Sequence, residues 1–181
     1  MFLVLMLMQL HIFIRTLNLS VLLKLLLTFN SYLMENSIQP RGFRNNNPLN
    51  IRKGSQWKGL SPIQGDKSFC VFTSMRYGIR AGIYLLLKYY TKYDLHTLYD
   101  IISRWAPQTE NDTWNYCKVV ALEFGISVKF IPTFDLDLTS DWNCLYDLVC
   151  AMIYVENGRH MYINRDEFFD IIKSEIPKSL K

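Results

Sequence analysis

Residues 145–158, LYDLVCAMIYVENG, predict the helix around which the rest of the chain is organised. Their apolar side chains recur at helical spacing and mark one face: Leu145, Leu148, Val149, Met152 and Ile153. Glu156 lies on the same face, and Gly158 is expected to end the helix as its C-cap. A carboxyl group at the end of a buried stripe loses solvent, which favours the neutral form that a general acid needs. The alternative interpretation is a helix-end glutamate that simply reaches solvent.

Composition indicates a folded chain that does not bind nucleic acid. Half of the 181 residues are hydrophobic and 14% are aromatic, which suits one domain with a sizeable core. All 16 acidic residues and 18 of the 20 basic ones follow Met34, so this region carries a net charge of only +2. It lacks the dense basic stripe of a nucleic-acid-binding protein but is compatible with a mildly basic face toward an anionic cell wall.

The cysteines and histidines do not form a recognisable metal or nucleophile site. None of the four cysteines belongs to a CxxC pair, and His11, His96 and His160 are scattered along the chain. Cys144 and Cys150 are six residues apart on one predicted helix, too far for an unstrained disulfide. We expect all four thiols to be small buried apolar groups, and we expect no metal or cofactor. The cysteines are Cys70, Cys117, Cys144 and Cys150.

Residues 1–33 differ in kind from the rest of the chain. They are dominated by Leu, Met, Ile, Phe and Val, and only Arg15 and Lys24 are charged. The segment is long enough to cross a membrane if Arg15 is accommodated, but it lacks the basic start and small-residue cleavage site of a secretory signal. Three interpretations stay open: a membrane anchor, an atypical signal, or residues upstream of the true start. Because Met34 opens a polar run, the third is slightly favoured, and the predicted folded domain is 34–181.

Residues 40–60, PRGFRNNNPLNIRKGSQWKGL, predict an irregular loop rich in asparagine. Tight turns are expected around Asn47–Pro48 and Lys53–Gly54. Asparagine side chains offer both hydrogen-bond donors and acceptors, and tryptophan offers a flat apolar face, so the loop suits a sugar ligand. The alternative is that Asx turns use these side chains to hold the shape of the loop.

The remaining sequence predicts more helices and little β structure. A strand is expected at 69–72, and helices are expected over 77–93, from a Thr97 cap to Pro107, over 113–124, and from an Asn164 cap onwards. Residues 126–138 are expected to be extended around Pro132, and Ser140 is expected to cap the helix that carries Glu156. The chain has no internal repeats and no linker that would divide 34–181.

Four stretches, taken in order, resemble a family of phage and prophage proteins: GFRNNNPLNIRKGSQWKGL, FCVFTSMRYGIRAGIYLLLKYY, IISRWAPQTENDTWNY and VENG. The resemblance covers roughly residues 40–160. Members of this family are often described as phage structural proteins, and they look like virion-associated peptidoglycan lytic enzymes of the lysozyme-like superfamily.

The resemblance implies a mainly α (α+β) fold that is lysozyme-like, with a small β element. In lytic transglycosylases of this superfamily a helix ending in the catalytic glutamate usually comes first, followed by a small β region and a helix with a glycine-rich start. A loop and a helix with a substrate-contacting tyrosine come next. Here the glutamate-ending helix comes last, so the resemblance implies a circular permutation, which compact domains tolerate.

The resemblance also implies the roles of individual residues. Glu156 would be the catalytic acid, with Glu110 as the second candidate, although Glu110 also suits a capping carboxylate before the next helix. Asp66 and Glu110 are the available second carboxylates. Asparagines would bind acetamido groups, tryptophans would stack on sugars, Tyr116 would lie near the scissile bond, and arginines would meet carboxylates or be ordinary surface charge. The candidate substrate-binding residues are Arg44, Asn45, Asn46, Asn47, Asn50, Arg52, Trp57, Trp105, Asn111, Thr113, Tyr116 and Asn157. For Trp105, which is on an apolar face, a place in the core is favoured over stacking on a sugar.

The implied function is cleavage of the β-1,4 bond between N-acetylmuramic acid and N-acetylglucosamine, most simply by a transglycosylase with one glutamate. The alternative is a non-catalytic virion or wall-binding protein. Expected partners are peptidoglycan strands and proteins of a virion or secretion apparatus, and a membrane only if 1–33 is real and retained. The expected location is the virion or the cell envelope.

Overall fold

The computed structural model describes residues 21, 23–28 and 39–181, and the chain divides into two compact units, Met1–Gln39 and Pro40–Lys181. In the first unit, residues 23–28 are helical and exposed. No helix in the described part of the chain is both long and apolar enough to span a membrane. The three interpretations of segment 1–33 fall almost wholly outside the described residues.

The second unit is mainly helical, as the sequence predicts. Its helices are α1 (Arg41–Arg44), α2 (Met75–Lys92), α3 (Leu98–Trp105), α4 (Thr113–Glu123), α5 (Trp142–Asn157) and α6 (Arg165–Glu175), with 3-10 turns at Val128–Thr133 and Lys178–Leu180. The expected strand at 69–72 is reduced to two antiparallel bridges, Arg52 with Phe69 and Leu60 with Phe72. Turns at Gly59, where φ is 80°, and at Asp66, which accepts a hydrogen bond from the Ser68 N–H, flank these bridges.

Helix α5 is the central element, and its predicted apolar face is fully buried: Leu145, Leu148, Val149, Met152 and Ile153 are at most 1% exposed. It packs against α1, α2, α4 and α6. The helix ends at Gly158 in the left-handed conformation, with φ of 69°, which glycine adopts without steric cost. Its N-cap is Asp141, whose side chain accepts a hydrogen bond from the Asn143 N–H, so the prediction of Ser140 is wrong by one residue.

Local capping chemistry fixes the starts of α3 and α6. The Thr97 hydroxyl accepts a hydrogen bond from the Asp100 N–H at 3.1 Å, and Asn164 caps α6 through the N–H groups of Asp166 and Glu167. Both caps confirm their predictions. The expected extended segment at 126–138 instead contains the 3-10 turn Val128–Thr133, because the fixed φ of Pro132 also suits such a turn.

The asparagine-rich loop lies directly on α2, and two glycines of that helix make this possible. A Cβ atom on Gly78 would lie 2.0 Å from the Asn46 carbonyl oxygen, and one on Gly82 would lie 2.1 Å from Leu49 Cδ1. Any side chain at Gly78 would therefore push the loop backbone away from α2. Leu49 is completely buried in this contact, which anchors the loop to the core.

Replacement of Gly78 by alanine should destabilise the protein by about 2 kcal/mol, because overpacking against backbone outweighs the gain in helix propensity. Gly82→Ala should cost less, since the obstructing atom is the end of a leucine side chain. Unfolding in denaturant measures both losses. The control is Gly65→Ala, where no atom lies within 4 Å. A Gly78→Ala protein as stable as this control would refute the packing argument.

Candidate active site

A cleft of about 400 Å³ opens beside the C-terminal end of α5. Its walls come from the asparagine-rich loop, the Phe69 region, α2 and the segment that follows α3. The lining residues are Arg41, Asn50, Ile51, Arg52, Ser55, Trp57, Phe69, Leu85, Tyr89, Trp105, Ala106, Glu110, Asn111 and Glu156. The cleft therefore joins segments that are far apart in the sequence.

The carboxylate of Glu156 is half-buried in this cleft and accepts hydrogen bonds from three side chains. Oε1 accepts from Trp105 Nε1 and from the Tyr116 hydroxyl, both at 3.1 Å, and Oε2 accepts from Asn50 Nδ2 at 2.9 Å. The donors come from α3, α4 and the asparagine-rich loop. Three directional contacts from three elements fix the orientation of the carboxylate.

Asn50 is the contact that joins the asparagine-rich loop to α5. Its φ of 48° lies in the left-handed region, which asparagine tolerates better than most residues. In this conformation Nδ2 also donates to the Glu156 carbonyl oxygen at 3.2 Å, while Oδ1 accepts from Arg41 Nε at 3.2 Å. Asn50 is only 9% exposed, and its amide is held between the exposed Arg41 and the half-buried Glu156.

Trp105 packs against the hydrophobic core, as its apolar face predicts, and it also lines the cleft. Helix α3 ends at this residue, so its half-buried ring emerges where the chain turns away. The ring edge packs on Tyr89, with centroids 6.3 Å apart, and this contact leaves the indole N–H directed at Glu156.

Tyr116 is held as a hydrogen-bond donor. It is 7% exposed, and burial followed by the charge of neighbouring Glu156 raises the pKa of its hydroxyl well above the ordinary value. The phenol therefore keeps its proton throughout the physiological range. This chemistry suits stabilisation of a carboxylate, and it excludes Tyr116 as a base at neutral pH.

The side chains of three asparagines in the loop form hydrogen bonds within the protein. Asn45 Nδ2 donates to Asp66 Oδ2, and Asn46 Nδ2 donates to the Phe72 carbonyl. The side chain of Asn47 is fully buried and bonds the backbone of Ile51 and Cys70. None of the three lines the cleft, so the structure places them as supports of loop shape, the alternative to sugar binding.

Three other candidates also lie outside the cleft lining. Asn157 Nδ2 donates to the Pro48 carbonyl at 2.7 Å and so ties α5 to the loop. Thr113 is completely buried, and its hydroxyl donates to the Ala106 carbonyl. Arg44 is exposed on α1. The first two position the chains that form the cleft and do not face a ligand.

The remaining candidates lie in the cleft wall. Arg52 Nη2 contacts Glu110 Oε2 at 2.6 Å, and the two side chains are 63% and 53% exposed. Trp57 packs edge-on against Tyr84, with centroids 5.7 Å apart. Asn111 is exposed beside Glu110. Of the predicted ligand contacts, the structure thus brings together Asn50, Arg52, Trp57, Trp105, Asn111 and Tyr116 around Glu156 and Glu110.

Asp66, a candidate second carboxylate, lies outside the cleft lining and instead stabilises a turn. Burial opposes its ionisation, but hydrogen bonds from the Ser68 N–H, the Asn45 amide and the Phe69 N–H, together with the charge of Arg41, lower its pKa to about 2. The residue is therefore ionised at neutral pH and fully engaged.

Arg41 and Phe69 line the cleft although the sequence did not single them out. The guanidinium carbon of Arg41 lies 3.6 Å from the centre of the Phe69 ring, and that of Arg52 lies 5.3 Å from it. No local pattern distinguishes Arg41 from Arg44, because residues three apart on one helix lie on the same face.

The thiols are spread through the fold. All four cysteines are free; Cys70 and Cys117 are buried as expected, whereas Cys144 and Cys150 are only half-buried. Burial raises the pKa of the Cys117 thiol to about 11, so it stays neutral and unreactive. Among the described residues there is no cluster of three or more histidine, cysteine, aspartate or glutamate side chains that could hold a metal ion.

Replacement of Asn50 by aspartate should lower the free energy of unfolding by about 2 kcal/mol at pH 7, because it places a carboxylate where Glu156 now has a donor. The loss should shrink at pH 4, where protonation of the introduced carboxyl group restores a neutral side chain beside Glu156. Denaturant titrations at the two pH values measure it. The control is Asn115→Asp on exposed α4 surface, with a change below about 0.5 kcal/mol. Equal effects of the two substitutions would contradict the contact.

Replacement of Asp66 by asparagine should cost about 1 kcal/mol of stability at pH 7, after allowance for solvent screening. The folded-state pKa is below the ordinary value of 3.8, so the contribution is fully present above pH 4 and is lost as the pH falls toward 2. Unfolding free energies of both proteins across this range should converge at the acid end. A difference that stays constant with pH would refute the assignment.

Comparison with known proteins places the chain beside a phage protein. No family model matches it. Protein P5 of Pseudoalteromonas phage PM2 is 49% identical to the chain over 126 residues, and the match covers 67% of this chain and 74% of the phage protein. Identity at this level over most of both proteins indicates common descent.

Proposed function

We propose that this chain, which belongs to the same family as Protein P5 of Pseudoalteromonas phage PM2, is a phage-associated glycosidase that cleaves the glycan strands of peptidoglycan. The observation that carries the proposal is the half-buried carboxylate of Glu156, which faces a 400 Å³ cleft and is oriented by Trp105, Tyr116 and Asn50. A rigidly placed carboxyl group beside a polar, aromatic-lined cleft is what general acid catalysis on a sugar requires.

The hydrogen bonds around Glu156 support one carboxyl oxygen over the other as the atom that would transfer the proton. Each carboxyl oxygen has two lone pairs. Oε1 accepts from two donors, Trp105 and Tyr116, whereas Oε2 accepts only from Asn50. When Glu156 is protonated, Oε2 therefore has a position left for the proton. Oε2 would be the acid atom, and Oε1 would be the anchor.

The proposed reaction is that of a lytic transglycosylase. Glu156 protonates the glycosidic oxygen between N-acetylmuramic acid and N-acetylglucosamine as the bond to the muramyl C1 breaks. The resulting carboxylate then takes the proton of the muramyl 6-hydroxyl, whose oxygen bonds to C1 and closes a 1,6-anhydro ring. The glutamate regains its proton, no water is consumed, and one carboxyl group is sufficient.

The positions of the other carboxylates favour this one-carboxyl mechanism over hydrolysis. A hydrolase needs a second carboxylate, about 5–5.5 Å away if retaining and roughly 6.5–9.5 Å away if inverting. Asp66 is outside the cleft lining and held by its turn. Glu110 lines the cleft but is paired with Arg52 at its exposed side.

We further propose that the fold is a circularly permuted lysozyme-like arrangement, in which the chain begins at a different element. The bridged region 45–72, then glycine-containing α2, then Tyr116 on α4 follow the order of the superfamily. Only α5 with Glu156, which comes first in that order, follows the other three elements here. The part-buried contact between Asn50 and Glu156 brings α5 back to the β-bridged region, as a permuted topology would require.

The test is digestion of purified peptidoglycan by the full chain, wild type against Glu156→Gln. The substitution removes the transferable proton but preserves size, so kcat should fall by about 10²–10⁴-fold. Mass analysis of released fragments should show 1,6-anhydromuramyl ends. The control is Glu123→Gln, since Glu123 also ends a helix but is exposed and outside the cleft, and its activity should match wild type.

Further outcomes of this digestion decide between the alternatives. Glu110→Gln should keep activity within about threefold if a single carboxyl group suffices; a loss as large as that of Glu156→Gln together with reducing ends would identify a two-carboxylate hydrolase. Peptidoglycan that is bound but not cleaved by wild type would instead identify a non-catalytic wall-binding protein of the virion.

A further inference from the structure

Two arginines share one aromatic ring in the wall of the cleft. The guanidinium groups of Arg41 and Arg52 lie 3.6 and 5.3 Å from the centre of the Phe69 ring, and all three residues line the cleft that holds Glu156. Arg41 belongs to α1, whereas Arg52 and Phe69 form one of the β-bridges. Separate elements therefore bring two positive charges to the same wall.

Contact with the Phe69 ring orients the two guanidinium groups. A guanidinium group over an aromatic face is held by cation–π attraction and stacking, and its planar fork remains available to an acceptor. The bond from Arg41 to Asn50 uses Nε, so the edge formed by its two terminal nitrogens is not required for that bond. A planar edge of this kind matches the two oxygens of a carboxylate.

We propose that Arg41 and Arg52, oriented by Phe69, form a subsite for a carboxylate carried by the muramyl residue of the glycan. The inference rests on the proposed function, because it names a feature of the substrate that the same cleft would recognise. It predicts that the protein distinguishes glycans with free carboxylates from neutral glycans of the same length.

The acidic side chains nearby are compatible with this subsite. Glu110 pairs with Arg52, but both are more than half exposed, and an exposed pair of this kind is weak enough for a ligand carboxylate to replace Glu110. Asp66 feels the charge of Arg41, yet its oxygens are already occupied by Asn45 and by the backbone of Ser68 and Phe69.

The subsite is connected to the proposed acid. Arg41 Nε donates to Asn50 Oδ1, and Asn50 Nδ2 donates to Glu156 Oε2. Loss of the Arg41 side chain should therefore have two effects. The position of Glu156 should change, which affects the binding of every substrate, and a positive charge is lost, which affects only substrates that carry a carboxylate. The ratio of affinities for charged and neutral glycans separates these two effects, because the general effect cancels.

Two parts of peptidoglycan can supply the carboxylate: the stem peptide, or the lactyl group once the peptide is removed. The experiment uses three soluble glycan preparations: strands with stem peptides, strands trimmed by an amidase to bare lactyl groups, and strands whose carboxylates are converted to amides by carbodiimide coupling. Binding is measured with the full-length Glu156→Gln protein, so that the strands are not cleaved and the result does not depend on catalysis.

The Glu156→Gln protein should bind at least one charged preparation about tenfold more tightly than the amidated one, as charge-assisted hydrogen bonds imply. Whichever charged preparation binds more tightly identifies the source of the carboxylate. Adding Arg41→Gln or Arg52→Gln should reduce the preference to within about twofold. Arg52→Lys, which keeps the charge but loses the planar fork, should fall between these values.

The matched control is Arg165→Gln. Arg165 also lies over an aromatic ring, 4.1 Å from the centre of Tyr146, and also pairs with an exposed carboxylate, that of Asp147, but it lies outside the cleft lining. Its removal should leave the preference unchanged. A loss of preference equal to that of Arg52→Gln would show only a general effect of net charge and would overturn the subsite.

The two proposals fail in different ways. Equal binding of all three preparations, together with cleavage by wild type, overturns the carboxylate subsite and leaves the glycosidase standing. If wild type does not cleave the strands, but the preference for charged strands disappears in the Arg41 and Arg52 variants, the glycosidase is overturned and the carboxylate subsite stands. Absence of both binding and cleavage overturns both.

Discussion

The arrangement of the cleft depends on how closely the asparagine-rich loop approaches two helices at once. On one side its backbone lies against Gly78 of α2, at a distance that no side chain would allow. On the other side Asn157 holds the Pro48 carbonyl, and Asn50 reaches the carboxylate and the backbone of Glu156. The loop is therefore wedged between α2 and α5, and this wedge turns a helix-end glutamate into a group with one fixed orientation.

Polar side chains in this region have two distinct tasks, although they look alike in the sequence. Asn45, Asn46 and Asn47 stabilise the loop through hydrogen bonds to backbone groups and to Asp66. The loop therefore keeps its shape without longer strands. Asn50, a few residues further, extends the same network into the cleft. The supporting contacts are as necessary as the final one, because an amide positions a carboxylate only if its own backbone cannot move.

The sequence predicted most of the helices because their limits depend on local chemistry. The Thr97 and Asn164 caps and the Gly158 stop are decided by groups within three residues of each helix end. Helix α1 and the turn around Pro132 were missed, since tertiary packing selects these short elements. In the cleft, Glu156 was singled out by its place on an apolar face together with the family resemblance. The choice of Asn50 among similar neighbours, and the contribution of Arg41 and Phe69, depend on contacts between distant segments.

The distances along the chain between Glu156 and its donors have a consequence for biosynthesis. Asn50, Trp105 and Tyr116 precede the glutamate by 106, 51 and 40 residues, so all three donors are synthesised before the group that they hold. A nascent or prematurely terminated chain that lacks α5 contains the donors without their acceptor. The hydrogen-bonded arrangement around Glu156 therefore forms only after α5 has been synthesised.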